Sequence, residues 1–320
     1  MSDLKYCIGV DLGGTNIAVG LVELESKSIV KQYSIKTNAP RSCESICDDI
    51  AGVCQKLCSM EKITMSDVHW VGIATPGIVK NGTVLSACNL GWKDAALGEI
   101  LAAAVGRPTY VANDANAAAY AEAIWGSGAG VQSLAAITIG TGVGGGIIIN
   151  GKIWEGMNGF AAEMGHAVVD PHGRACGCGK RGCLEAYCSA TALIKETRRM
   201  MLLYRESAMW DEASGDIERA SGKTAFRAME KGDKAATLVV NEFIDYLAVG
   251  VANIINIFQP DVVCIGGGIS REGEVLMAPL RERVLHSSFG TDSLRTKVVA
   301  ASFKNDAGII GAALLGLQDE

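Results

Sequence analysis

The sequence has no run of Lys or Arg longer than two, and its formal net charge is −6. Proteins that bind nucleic acid through its phosphates carry a basic face, so no nucleic-acid partner is expected. An apolar leader is also lacking. Met1-Ser-Asp-Leu-Lys5 runs straight into the first strand, so no signal peptide is expected and the protein should be cytoplasmic. From Ala123 to Gly151 there are 29 residues without a charge, longer than the ~20 that cross a bilayer. Nine of them are Gly, and Ser127, Gln132, Ser133, Thr138 and Thr141 interrupt the rest. So much Gly weakens a lipid-exposed helix but suits buried strands and turns, so no membrane partner is expected. Eleven cysteines, an odd number without a secretion signal, speak against a disulfide framework.

At 320 residues the chain is about twice the ~150-residue single-domain size, which predicts two domains. Apolar residues make up 49% and charged residues 20%, a soluble globular balance with ample material for a core. Tyr6–Leu12 reads as a strand, Gly13-Gly14-Thr15-Asn16 as a glycine-rich turn and Ile17–Val22 as the returning strand. A third strand is expected around Ile29–Thr37, a helix from Ser42 to Ser59 and a buried strand at Val68–Ala74 before Thr75-Pro76-Gly77. Val111-Ala112 ends another strand, and Asn113-Asp114 opens an Ala-rich helix. Strands followed by helices in this way predict an α/β sheet. The strand–glycine–strand unit returns at Leu134–Asn150, and Val10–Val22 aligns with Ile137–Ile149. Either the chain contains an internal duplication, or these are unrelated hairpins. Ala236, Val240, Phe243, Leu247, Val251, Ile254 and Phe258 mark a long helix from Asp233 to Gln259, stopped by Pro260. Val262–Ile265 then forms a strand before Gly266-Gly267-Gly268, Asp306–Leu317 a terminal helix, and Met209–Lys223 a surface excursion.

Three glycine clusters follow strands: Gly13-Gly14, Gly140–Gly146 and Gly266–Gly268. Glycine lets backbone N–H groups approach an anion closely. None of the clusters contains Lys or Arg, so a phosphate there would depend on amides, hydroxyls such as Thr15 and Thr141, and a metal ion. None fits a P-loop or a Rossmann fingerprint. Each alone reads first as a plain tight turn; the three together, at strand ends, point to a nucleotide site. Asp11, at the end of the first strand, could hold Mg²⁺ on a polyphosphate or pair with turn amides. Asn113-Asp114 reads as a helix cap, or as a cap with Asp114 accepting a proton from a substrate hydroxyl.

His166 and Cys176-x-Cys178-x₄-Cys183 give the strongest local signal. Three thiolates within eight residues, spaced by Gly177, Gly179 and Gly182, fold round one ion, and His166 lies ten residues upstream. A Cys₃His set is a structural zinc site. Glu163 and Glu185 would ride on the same knuckle. The other cysteines (Cys7, Cys43, Cys47, Cys54, Cys58, Cys88, Cys188, Cys264) read as small buried hydrophobes.

At these residues the chain resembles the ROK family of sugar kinases. The resemblance spans essentially the whole chain and rests on Asp11-Leu-Gly-Gly-Thr-Asn16, Thr75-Pro-Gly77, Asn113-Asp-Ala-Asn116, Gly140-Thr-Gly142, Glu163-Met-Gly-His166, Cys176–Glu185 and Gly266-Gly-Gly268. Within the family, Asn89–Lys93 and Asn113–Ala119 resemble the bacterial glucokinases most closely. The resemblance implies a two-domain, actin-like (ribonuclease-H-like) ATPase fold with a cleft between the domains and a zinc knuckle in the larger one. Residues 1–116, completed by helix 305–320, would form the small domain and 117–304 the large one. It implies an ATP-dependent kinase acting on a small-molecule hexose, glucose at its 6-hydroxyl, in a homo-oligomer (dimer or tetramer). Asp114 would be the general base. Gly77, Asn113, Asp114, Glu163, His166 and Glu185 would hold the sugar. Gly13, Gly14, Thr15, Asn16, Thr141, Gly142, Gly266, Gly267 and Gly268 would bind ATP, with Asp11 for Mg²⁺ and His166, Cys176, Cys178 and Cys183 for Zn²⁺.

N-acetylmannosamine is the nearest alternative substrate, then fructose or allose. Family repressors carry a DNA-binding segment before the kinase-like part, and with the first strand at Tyr6 none is expected here. A bare actin-like ATPase or chaperone module would not need the knuckle with its two glutamates.

Overall fold

The segment from Tyr6 to Lys36 folds as a meander, its first two apolar strands joined by the glycine turn: β1 (Tyr6–Leu12), β2 (Asn16–Glu23) and β3 (Ser28–Lys36). It opens a computed structural model that describes residues 5–290 and 295–318. β1 and β2 pair antiparallel from Tyr6↔Glu23 to Leu12↔Ile17. Helix α1 (Cys43–Met60) starts at Ser42, whose side chain accepts the Ser45 N–H, and its Ile46, Ile50, Val53 and Leu57 enter the core under the sheet. β4 (Val68–Thr75) then joins β1 in parallel. A small antiparallel sheet of β5 (Ile78–Lys80), β6 (Thr83–Ala87) and β7 (Trp92–Ala95) follows, which the sequence reading did not anticipate. α2 (Leu97–Val105), β8 (Thr109–Asn113) and α3 (Asp114–Ile124) complete this half, giving the sheet order β3-β2-β1-β4-β8.

The terminal helix, Ala307–Leu314, packs on β1, β4 and α3. Gly9 and Gly72 allow it: a Cβ at either would overlap the carbonyl of Ile309 or Ala312. Helix backbone therefore lies directly on strand backbone.

The second half repeats the plan. β9 (Ser133–Ile139), β10 (Val143–Ile149) and β11 (Lys152–Ile153) are followed by α4 (Glu185–Cys188), α5 (Ala190–Leu203), α6 (Met209–Glu212), α7 (Thr224–Glu230) and α8 (Lys234–Phe258). β12 (Val262–Gly267), α9 (Glu274–Ser287) and β13 (Lys297–Ala300) end it. The sheet order β11-β10-β9-β12-β13 matches the first strand for strand, and β9–β12–β13, like β1–β4–β8, run parallel. The shared order favours duplication over unrelated hairpins. α8 is capped by Asp233, whose Oδ1 accepts the Ala236 N–H at 2.7 Å, and ends at Gln259 (φ 44°), before Pro260. Among the described residues it is one helix long and apolar enough to cross a membrane, yet 61% of its apolar window is buried in the fold.

The chain separates into two compact units, dividing inside β10. One holds residues up to Ser133, Gly146–Ala162 and those from Asn305; the other holds Leu134–Gly145 and Glu163–Lys304. The expected division was 1–116 with 305–320 against 117–304. α3 instead lies with the first unit because the terminal helix packs on it, Gly311 against the Ala117 carbonyl. Residues 146–162 join it through contacts such as Lys80–Glu155 at 3.4 Å. One local expectation is refined and one fails. The Met209–Lys223 stretch lies mostly on the surface, as expected, but holds α6 and anchors itself through the fully buried Met209. Cys88 is exposed rather than buried, because it sits in the turn between β6 and β7.

Candidate active site

In the first unit, three parallel strands deliver their candidate residues at their C-terminal ends, where ligands sit in open α/β sheets. β1 ends at Asp11-Leu12, β4 at Thr75 before Gly77, and β8 at Asn113. Register pairs Asp11 with Ala74 and Thr75 with Asn113, so these ends lie side by side. Asn113 is the cap of α3. Its Oδ1 accepts the N–H of Ala115 (2.9 Å) and Asn116 (3.3 Å), and its Nδ2 donates to the Gly77 carbonyl at 3.0 Å. Gly77 itself is at φ 95°, and a Cβ there would overlap the Ser86 carbonyl. With Asn113 capping, Asp114 is left in the first turn of α3, accepting the Ala115 N–H at 2.8 Å and still open to solvent.

Both carboxyls are electrostatically stressed. Burial pushes Asp11 up to about 6, and the charge of Asp114 adds to it. Asp114 reaches solvent, yet the protein packed round its carboxyl desolvates it enough to raise it too, against the opposing effect of hydrogen bonds from the Ala115 N–H and the Asn113 side chain. Among the described residues, no Lys or Arg is ion-paired with either. A cation would relieve exactly this kind of stress, so a carboxylate in Asp11's position suits Mg²⁺.

Beside Asp11 runs the turn Gly13–Asn16. The Gly13 N–H donates to Asn16 O at 2.9 Å, and the turn's outer side is held by Thr37. Sequence reasoning passed over Thr37, which follows the largely polar and exposed β3 and carries no local signal of its own.

In the second unit, the β9–β10 turn is built alike: the Gly140 N–H donates to Gly142 O at 2.9 Å, and the start of α5 holds the turn at Gly140 and Thr141. Glu185, the first residue of α4, accepts the Val143 N–H at 2.9 Å through Oε2 and lies against Gly142, tying knuckle to turn. Gly266–Gly268 follow at the end of β12. Gly267, at φ 87°, abuts the Ile139 carbonyl, while Gly268 faces open space.

His166 ends a short 3₁₀ turn (Met164–His166) opened by Glu163, which is exposed, and Gly165 lets that turn press on the Val143 carbonyl. The ligand atoms of His166, Cys176, Cys178 and Cys183 all lie within 4.8 Å of one another. Cys178 and Cys183 sulfurs are 3.6 Å apart, and Cys176 Sγ is 3.7 Å from His166 Nδ1. Zn–S bonds of ~2.3 Å at tetrahedral angles separate sulfurs by ~3.8 Å, so the four donors fit a closed zinc site. Cys176 Sγ is also 3.7 Å from Glu185 Oε1. Metal on Nδ1 leaves the other ring nitrogen of His166 as a fixed donor.

The predicted residues thus fall into two sets. Asp11, Gly13–Asn16, Gly77, Asn113 and Asp114 belong to the first unit; Thr141, Gly142, Glu163, His166, Glu185, the cysteines and Gly266–Gly268 belong to the second. A further cavity of about 810 Å³ in the first unit, lined by Lys80, Glu99, Tyr110, Trp154 and Gln318 among others, contains none of them.

The ROK family model matches residues 7–319. The chain is 40% identical over 316 residues to a glucokinase of Thermotoga maritima, covering 98% of this chain and 97% of the relative. It is 36% identical over 325 residues to a glucokinase of Halalkalibacterium halodurans, covering 100% and 97%. Among solved structures it is similar to a ROK family glucokinase from Streptomyces griseus in complex with glucose and AMPPNP. That likeness has 36% identity, a TM-score of 0.78 and coverage of 98% and 99%.

Proposed function

Because the chain belongs to the ROK family, we propose that it is an ATP-dependent glucokinase, transferring the γ-phosphate of ATP to the 6-hydroxyl of glucose. The observation that carries this reading is identity of 36–40% to glucokinases over 98–100% of the chain, beside the likeness to a solved ROK glucokinase in complex with glucose and AMPPNP. Site chemistry supports it. Phosphoryl transfer needs positioning and charge neutralisation more than covalent help.

Asp114 accepts the proton of the attacking hydroxyl as the O6–P bond forms and the bond to the ADP oxygen breaks. Its raised pKa makes it a better base than a free carboxylate, and Asn113 relieves it of most of the capping. Asp11 would hold Mg²⁺, which when bound neutralises charge on the transferring phosphates. Asn113, with backbone near Gly77, and Glu163, His166 and Glu185 remain the proposed sugar contacts, and the three glycine turns the proposed ATP contacts. Zinc on His166, Cys176, Cys178 and Cys183 would be structural, fixing the His166 tautomer so that its free nitrogen donates to a hydroxyl. The same reading makes the protein a cytoplasmic homo-oligomer.

Carboxylates and a histidine round one ring suit paired contacts to adjacent hydroxyls, and such sites discriminate strongly against analogues lacking them. The test is kcat/KM with MgATP over glucose, mannose, N-acetylmannosamine, N-acetylglucosamine, fructose and allose. Glucose should lead by at least about tenfold, a difference of ~1.4 kcal/mol. An N-acetyl sugar in the lead would overturn the glucose assignment while leaving the kinase reading intact.

A further inference from the structure

Neither the Gly13–Asn16 turn nor the Gly140–Gly142 turn contains a basic residue. Apart from a metal ion, any grip either has on phosphate must come from where its peptide dipoles point. A turn exposes carbonyl oxygens as readily as N–H groups, and a carbonyl aimed at phosphate repels it.

In each turn two carbonyls are taken by donors from further along the chain, the residue after β3 for the first and the start of α5 for the second. Thr37, fully buried, donates its N–H to Thr15 O at 2.9 Å and its Oγ1 hydroxyl to Gly13 O at 2.6 Å. Its own carbonyl accepts the Arg41 Nε–H at 2.8 Å, so Thr37 is fixed in turn. At the other turn, Ala190 donates its N–H to Gly140 O at 2.8 Å and Thr191 its hydroxyl to Thr141 O at 2.8 Å. The arrangement is the same: one backbone N–H and one threonine hydroxyl per turn.

A trans peptide plane points its C=O and its N–H in opposite directions. Tying Gly13 O to Thr37 therefore turns the Gly14 N–H away from Thr37, and tying Thr141 O to Thr191 turns the Gly142 N–H away from Thr191. We propose that Thr37 and Thr191 are positioning residues which, by holding these carbonyls back, aim the Gly14 and Gly142 amides at the phosphates of the nucleotide. This rests on the ATP reading above and deepens it: the threonines set nucleotide affinity without touching the nucleotide.

Val matches Thr in shape and removes only the hydroxyl; Ser restores it. With glucose saturating, Thr37→Val should raise KM for ATP about tenfold, as expected for a buried hydrogen bond lost, while KM for glucose stays within about twofold. Thr191 is exposed and water can replace its hydroxyl, so Thr191→Val should raise KM for ATP only about threefold. Thr37→Ser and Thr191→Ser should bring both values back. AMPPNP affinity by calorimetry should follow the same order. An unchanged KM for ATP in Thr37→Val overturns the proposal. So does a parallel rise of both KM values with a fall in Tm, which would make the threonine merely structural. If the wild-type protein phosphorylates no sugar, the kinase reading fails separately, and the AMPPNP affinities still decide: no binding, or equal binding by wild type and Thr37→Val, overturns the role of the threonines.

Discussion

Asp11→Asn exposes what the proposed cation site costs the fold. The Asp11 carboxyl is pushed up to about 6 from an ordinary 3.8, first by burial and then by Asp114. At 1.36 kcal/mol per pH unit, that gap corresponds to roughly 3 kcal/mol. An acid with a raised folded pKa contributes its full stability below about 3.8 and loses it as pH rises through about 6. Above that, a metal-free protein holds a buried charge at full cost. Asn keeps the shape and never ionises. In EDTA, Asp11→Asn should therefore match the wild type near pH 4, gain on it as pH rises to about 6, and plateau above. Some solvent reaches Asp11, so ~3 kcal/mol is an upper figure and ~1–2 kcal/mol the expected plateau. Calorimetry across that range reads the gain as a rise of ~2–4 °C per kcal/mol in the transition of a unit of this size. MgATP-dependent turnover should fall in the same variant. A variant less stable than wild type throughout, or with a gain independent of pH, would refute the electrostatic account.

Asp114→Asn should cut kcat by ~10²–10⁴-fold with glucose binding largely retained, because the amide cannot take the proton; more than about a tenth of wild-type kcat would return Asp114 to a purely local role in α3. The purified protein should carry one zinc per chain, and Cys178→Ser should lower metal content, Tm and glucose affinity together, since Glu185 and His166 share the knuckle. Elemental analysis finding metal-free protein with full activity would remove zinc from the account.

Local rules reached far here. Helices start where they were expected, with Ser42 and Asp233 as their caps, and the Gly13–Asn16 and Gly140–Gly142 turns join the apolar strands expected on either side of them. The knuckle was legible because thiolates so close in sequence have few other uses. What escaped were features decided by distant partners. Gly9 and Gly72 read as ordinary strand glycines, since nothing local says that Ile309 and Ala312 will lie on them. The β5–β7 strands are short and mixed in burial, so no period stands out. Asn113 and Asp114 were read together as cap or base, and only the Gly77 contact separates them, with Asn113 locked as the cap. Thr37 carries no motif; its role follows from carbonyls it meets across the turn.

The terminal helix on β1 and β4 also orders events at the ribosome. Gly9 and Gly72 are synthesised about 240–300 residues before the Ile309 and Ala312 carbonyls that cover them. At ~5–20 residues per second, that is a wait on the order of tens of seconds. Through it, the nascent first unit presents β1 and β4 with the glycine backbone that the terminal helix will cover still bare. The stretch Glu163–Lys304 is continuous and emerges whole before that helix does. The half of the protein that is made first is therefore the half that finishes folding last, and a chaperone that shields nascent apolar sheet would find its target in β1 and β4.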